Sequence, residues 1–161
     1  MPTTTITVGL DHTPAGMAAL RYAVDLAATE ARGEVLAVHA FELPARPDRR
    51  LERNMSDTRR ELLDRCQCWI DDAVPWDQSG VLIRLVIRDG KRCDVLVRAS
   101  REASVLVVGA PAVAATAATR DLLAHLRANV RSDLVEVDEN GSARRTVGDM
   151  TRPTQQFLQP V

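Results

Sequence analysis

Short apolar runs rich in β-branched residues alternate along this chain with segments whose apolar positions recur every three or four residues. The first run, Thr5-Ile6-Thr7-Val8-Gly9-Leu10, predicts a strand ending at Asp11. Thr13 then offers an N-cap hydroxyl, and Pro14 suits the first helical position, where its missing N–H would be unpaired anyway. Met17, Leu20, Val24 and Ala27 follow at helical spacing, and Gly33 is placed to stop the helix as a C′ residue. Glu34 to Phe41 reads as a second strand, and strand–helix–strand at this spacing begins a parallel βαβ unit.

The alternation continues. Glu42 to Arg53, rich in Pro and Arg, predicts a loop, and Pro44 to Arg53 within it is read as a solvated surface rather than a docking surface. A helix from Asp57 to Val74 carries Leu62, Leu63, Cys66, Trp69, Ile70 and Ala73 on or near one face. Pro75 and Gly80 mark a turn before the strand Val81–Ile87, and Asp89-Gly90 breaks the chain before a short helix from Cys93 to Ala103. Ser104–Gly109 is the most apolar strand and the natural central one. An Ala-rich loop from Ala110 to Ala118 leads to a helix with Leu122, Leu123, Leu126 and Val130, and Leu134–Val137 is a fifth strand. The order predicts an α/β fold: one doubly wound, five-stranded parallel sheet with helices on both faces. Residues 1–140 form its single domain, and 141–161 a polar, loosely held tail.

Composition narrows the function classes without choosing one. The 161 residues carry a formal net charge of −1, which gives no pull toward nucleic acid or an anionic membrane. Five aromatic residues make a poor base-stacking surface. No apolar run approaches the ~20 residues of a membrane span, and residues 1–8 do not resemble a signal peptide. Three cysteines, Cys66, Cys68 and Cys93, are too few and odd in number for a disulfide framework, so a reducing cytoplasm is the expected location.

Ile6-Thr7-Val8-Gly9-Leu10-Asp11 with its Ala-rich helix, Val35-Leu36-Ala37-Val38-His39-Ala40, Val86-Ile87-Arg88-Asp89-Gly90 and Ala103-Ser104-Val105-Leu106-Val107-Val108-Gly109 together resemble the universal stress protein family over residues 5–138. The resemblance implies strand order 3-2-1-4-5 and a homodimer formed mainly through the fifth strands. Pairing there would also remove an open sheet edge, and Leu134, Val135 and Val137 are the candidate interface. ATP-binding members of the family hold adenosine at the aspartate after the first strand and at the end of the second. Their phosphates lie on a loop reading Gly, two residues, Gly, nine residues, then Gly-Ser or Gly-Thr. By position Asp11, His39-Ala40 and Gly109 carry over.

The rest of that loop is degenerate. The second glycine falls on Ala112, and the Gly-Ser pair on Leu122-Leu123, or on Arg120-Asp121 with two residues deleted. A phosphate cradle needs converging backbone N–H groups and turns that glycine permits. Pro111 has no N–H to donate, and Val113 disfavours positive φ. Thr119 is placed to cap the last helix, with Asp121 in its first turn standing in for the lost anion. Arg120 beside Thr116 and Thr119 could still hold a phosphate. The residual nucleotide site is therefore Asp11, Ala40, Gly109, Thr116, Thr119 and Arg120, although Asp11 serves equally well as a capping residue of the first helix.

Elsewhere the chemistry is sparse. His12, His39 and His125 share no metal-ligand spacing with the cysteines, so no metal site is expected, and His39 reads as a partly buried strand-end residue. Cys66 and Cys68 point to different faces of one helix and read as structural. No Gly-x-Ser-x-Gly elbow or Walker A pattern occurs. The expectation is a non-catalytic stress-response or regulatory protein acting through an unidentified protein partner, with ATP binding lost or weak and no cofactor. The alternatives are an adenine-nucleotide sensor that still binds ATP, and a nucleotide-processing enzyme on the same scaffold.

Overall fold

In the computed structural model, residues 2–42, 49–75, 80–113 and 116–149 are described, with side chains in the second helix from Thr58 onward. The chain runs β1 (Thr4–Gly9), α1 (Pro14–Ala28), β2 (Gly33–Phe41), α2 (Arg49–Ala73), β3 (Leu82–Asp89), α3 (Arg92–Ser100), β4 (Val105–Gly109), α4 (Ala117–Asn129), β5 (Asp133–Val137) and β6 (Ala143–Thr146). Thr13 caps α1 as its sequence predicts, its Oγ1 accepting from the Gly16 N–H at 3.0 Å. Gly33 opens β2 instead of closing α1, which ends at Thr29. The expected loop from Pro44 to Arg53 falls partly on residues 43–48, outside the described residues; Arg49–Arg53 begins α2.

The sheet order is β3-β2-β1-β4-β5-β6, all parallel but β6. Alternation on the strands divides the core. Ile6, Val8, Val105 and Val107 face α1 and α2, meeting Leu20, Val24, Cys66 and Ile70. Val38, Leu106, Val108 and Leu134 face α3 and α4, meeting Val95, Leu96, Leu123 and Leu126. Winding reverses between β1 and its two neighbours, β2 and β4, which opens a crevice at the carboxyl ends of these strands.

The sheet has six strands, where five were expected. Asp138 Oδ1 accepts from the N–H groups of Asn140 and Ser142, and Gly141 takes φ 83°, so the chain turns back at Asn140-Gly141 and lays β6 antiparallel on β5. Asp133 ties down the returning strand by accepting from Arg145 (Nη2 at 2.6 Å) and from the Gly148 N–H at 2.9 Å. Part of the expected tail is thus an ordered strand, while 150–161 lie outside the described residues. The same strand occupies the outer edge of β5, where pairing across a two-fold axis was expected. Leu134, Val135 and Val137 are buried within their own chain.

Candidate functional site

At the carboxyl end of β1 the backbone turns out of the sheet at Asp11. Its Oδ1 accepts from the backbone N–H of Thr13 at 3.0 Å and from the Thr13 hydroxyl. Its Oδ2 accepts from Arg92 Nη2, reaching over from the first residue of α3. The pair is partly open to solvent, with the arginine side chain 38% and the aspartate 20% exposed. Asp11 thus caps the entry to α1 and bridges α1 to α3. Its carboxylate already has three partners.

Gly16 and Gly109 bring the neighbouring backbone within reach. A Cβ on Gly16 would lie 1.9 Å from Asp11 Oδ1, and one on Gly109 would lie 2.6 Å from the Gly16 nitrogen. Gly109 is therefore required by the approach of the first turn of α1 to the end of β4, with no ligand invoked. Ala40, near the end of β2, is half-buried against the α3–α4 side of the core.

The loop after β4 contains the main departure from expectation. Thr116, not Thr119, is the N-cap of α4: its Oγ1 accepts from the Thr119 N–H at 3.2 Å, and the helix starts at Ala117. Asp121 therefore lies beyond the first turn, which holds no acidic residue, and cannot neutralise the N-terminus as expected. A different carboxylate meets the loop: Glu139, from the β5–β6 turn, accepts from the Ala112 N–H at 2.9 Å. Ala112 is where the family resemblance placed the second phosphate-loop glycine. Arg120 is exposed; its backbone N–H donates to the Thr116 carbonyl at 3.0 Å, and no hydrogen bond or ion pair engages its side chain among the described residues.

Aromatic groups close the same end of the sheet on the other side. Trp69 from α2 stacks on His12, ring centres 5.1 Å apart and planes 8° from parallel, and meets His39 edge-on at 5.5 Å. His39 Nδ1 donates to the Leu10 carbonyl at 2.9 Å, fixing the ring at the strand end as its position suggested. Beyond Arg92, a cavity of about 450 Å³ is lined by Lys91, Arg92, Cys93, Thr119, Asp121 and His125, among others. Of the residues expected to hold a nucleotide, only Thr119 lines it.

Neither Arg92 nor Glu139 was marked in the sequence as a site residue, and Trp69 was placed there only on the packing face of α2. Each acts at a distance that only folding creates, 81 residues for Arg92 to Asp11 and 27 for Glu139 to Ala112. The local signals were an acidic pair, Asp138-Glu139, after β5 and a basic pair, Lys91-Arg92, after the Asp89-Gly90 break.

A sequence profile described as the universal stress protein family matches residues 2–136. No curated protein matches the chain. Among solved structures, the universal stress protein UspA from Lactobacillus plantarum is 20% identical over 84% of this chain and 98% of its own, with a TM-score of 0.57. A universal stress protein solved in complex with cAMP is 18% identical, covering 86% and 99%, with a TM-score of 0.59. An Arabidopsis thaliana family member with AMP bound is 14% identical over 84% and 91%, with a TM-score of 0.55.

Proposed function

The chain belongs to the universal stress protein family, and from that premise we propose that it is a non-catalytic stress-response or regulatory protein of the cytoplasm, acting through protein partners, in which ATP binding is lost or weak. The observation that carries this reading is that both ends of the expected nucleotide site are satisfied from within. Asp11 is held by Arg92 and Thr13, and the Ala112 N–H is held by Glu139. A nucleotide would have to displace an ion pair at one end and a carboxylate, which repels phosphate, at the other.

One observation favours the second reading, an adenine-nucleotide sensor: the cavity beside Arg92 carries Lys91 and Thr119, groups able to hold an anion. Relatives solved with cAMP and AMP lend it the precedent of the fold. The enzyme reading has less support. Cys93, whose thiol lies within 4.8 Å of the His125 imidazole, is pushed up by burial and then by the neighbouring Asp94 carboxylate, the reverse of what activates a nucleophile. A homodimer through the fifth strand fits this proposal only in a state with β6 displaced.

Calorimetry of the full chain with ATP, ADP and AMP plus Mg²⁺ tests the reading. No heat of binding at millimolar nucleotide is expected. Micromolar binding would overturn the proposal, with Lys91→Ala and Arg120→Ala as the variants to locate the site.

A further inference from the structure

Cys93 and Asp94 occupy the second and third positions of α3, and His125 lies on the facing side of α4. Packing of these two helices brings one donor atom from each to within 4.8 Å of the others: a thiol sulphur, a carboxylate oxygen and an imidazole nitrogen. Asp94 stands between the other two. His125 Nε2 stands 4.0 Å from Asp94 Oδ1, beyond hydrogen-bond length, and the Cys93 thiol makes a long hydrogen bond to the same oxygen at 3.8 Å, which a metal would replace. Donor atoms of a tetrahedral zinc ion, with bonds of about 2.0–2.3 Å, sit roughly 3.3–3.7 Å apart. Binding would have to draw these three donors in from their present separations of up to 4.8 Å.

We propose that Cys93, Asp94 and His125 form a binding site for one divalent cation of the zinc class. The mixed sulphur, nitrogen and oxygen donor set suits a borderline-soft ion and is poor for Mg²⁺ or Ca²⁺, which take oxygen ligands. All three residues are half-buried, and Cys93 and His125 also line the 450 Å³ cavity, so the fourth coordination position opens into it for water or a small anion. Arg92, the adjacent cation, is drawn away by its pairing with Asp11. On binding, the Cys93 thiol gives up its proton to solvent and the sulphur's lone pair forms the metal bond, with no redox change. The site stands whether or not nucleotide binds.

The test uses the full chain without a histidine tag, reduced and stripped with chelator, and Co²⁺ as the spectroscopic probe. One equivalent of Co²⁺ should give a thiolate-to-metal charge-transfer band in the near ultraviolet and visible bands of tetrahedral intensity, both bleached by Zn²⁺. Cys93→Ser should abolish the charge-transfer band. His125→Gln and Asp94→Asn should each weaken binding by at least about tenfold. Cys68→Ser, at an exposed thiol on another helix, should change nothing. Absence of the charge-transfer band in the wild-type protein, or its persistence in Cys93→Ser, overturns the proposal. Circular dichroism checks that each variant is folded, and His125→Gln decides the matter should Cys93→Ser fail to fold: unchanged affinity there rejects the site.

Discussion

Arg92 at the start of α3 donates to Asp11 at the end of β1, Nη2 to Oδ2 at 2.5 Å, joining residues 81 apart in sequence. The bond fastens the helices on the two faces of the sheet to each other at its carboxyl end. Because the arginine is more than a third exposed, its contribution is that of a partly screened pair. Arg92→Ala should lower unfolding free energy by about 0.5–1 kcal/mol, read from urea midpoints.

Gly109 offers a sharper test of structure against ligand. If its role is to admit the first turn of α1, Gly109→Ala should cost about 1–3 kcal/mol in the absence of any nucleotide, since a Cβ there meets the Gly16 nitrogen at 2.6 Å. An alanine variant as stable as the wild type would return Gly109 to a binding role.

Asp133 holds β6 and titrates accordingly. Its carboxyl is lowered below the usual value, first by the Gly148 N–H and then by Arg145. A depressed folded-state pKa stabilises the fold above the ordinary aspartate value of about 3.9 and loses that contribution as pH falls through the lower folded value. Protection factors of the β5–β6 amides, exchange taken relative to the intrinsic rate at each pH, should therefore fall below pH ~4 in the wild type. Asp133→Asn should show the faster exchange already at neutral pH.

Removal of residues 140–161 should convert β5 into an open edge. Its outward N–H and C=O groups, now paired with β6, would be free to pair with a second copy. Sedimentation velocity should show concentration-dependent association of the truncated chain exceeding that of the full chain. Equal behaviour of the two would mean that β6 does not guard this edge.

The cysteines of α2 should differ in reactivity. Cys66 is buried in the core, and desolvation pushes its thiol up to about 11, whereas Cys68 is exposed. A thiol reagent at pH ~8 should modify Cys68 rapidly and Cys66 only on unfolding. Because the unfolded thiol ionises first, Cys66 also favours the folded state less as pH climbs from about 8.5 toward 11. Cys66→Ala should flatten that part of the stability profile.

Much of the architecture was legible because its causes are local. Period-two and period-3.6 apolar patterns, the Thr13-Pro14 helix start and the apolar run Val105–Val108 each state their own conformation. The family resemblance added the strand order and is upheld by the matched profile. Strand β6 was hidden because Ala143-Arg144-Arg145-Thr146 has no buried face and therefore no apolar alternation. Its local sign is the Asn140-Gly141 dipeptide, a strong hairpin turn that also marks the shift to a polar composition.

The sequence by itself determined the α/β class, four helices and five of the six strands, since these depend on residues within a turn or two of one another. Only the tertiary structure decided that Arg92 covers Asp11, that Glu139 rather than Asp121 meets the loop, and that Cys93, Asp94 and His125 converge. Those relationships span from 27 to 81 residues of chain or join two separate helices. Such pairings are set by how the packed helices approach across the sheet, and linear spacing carries no record of that approach.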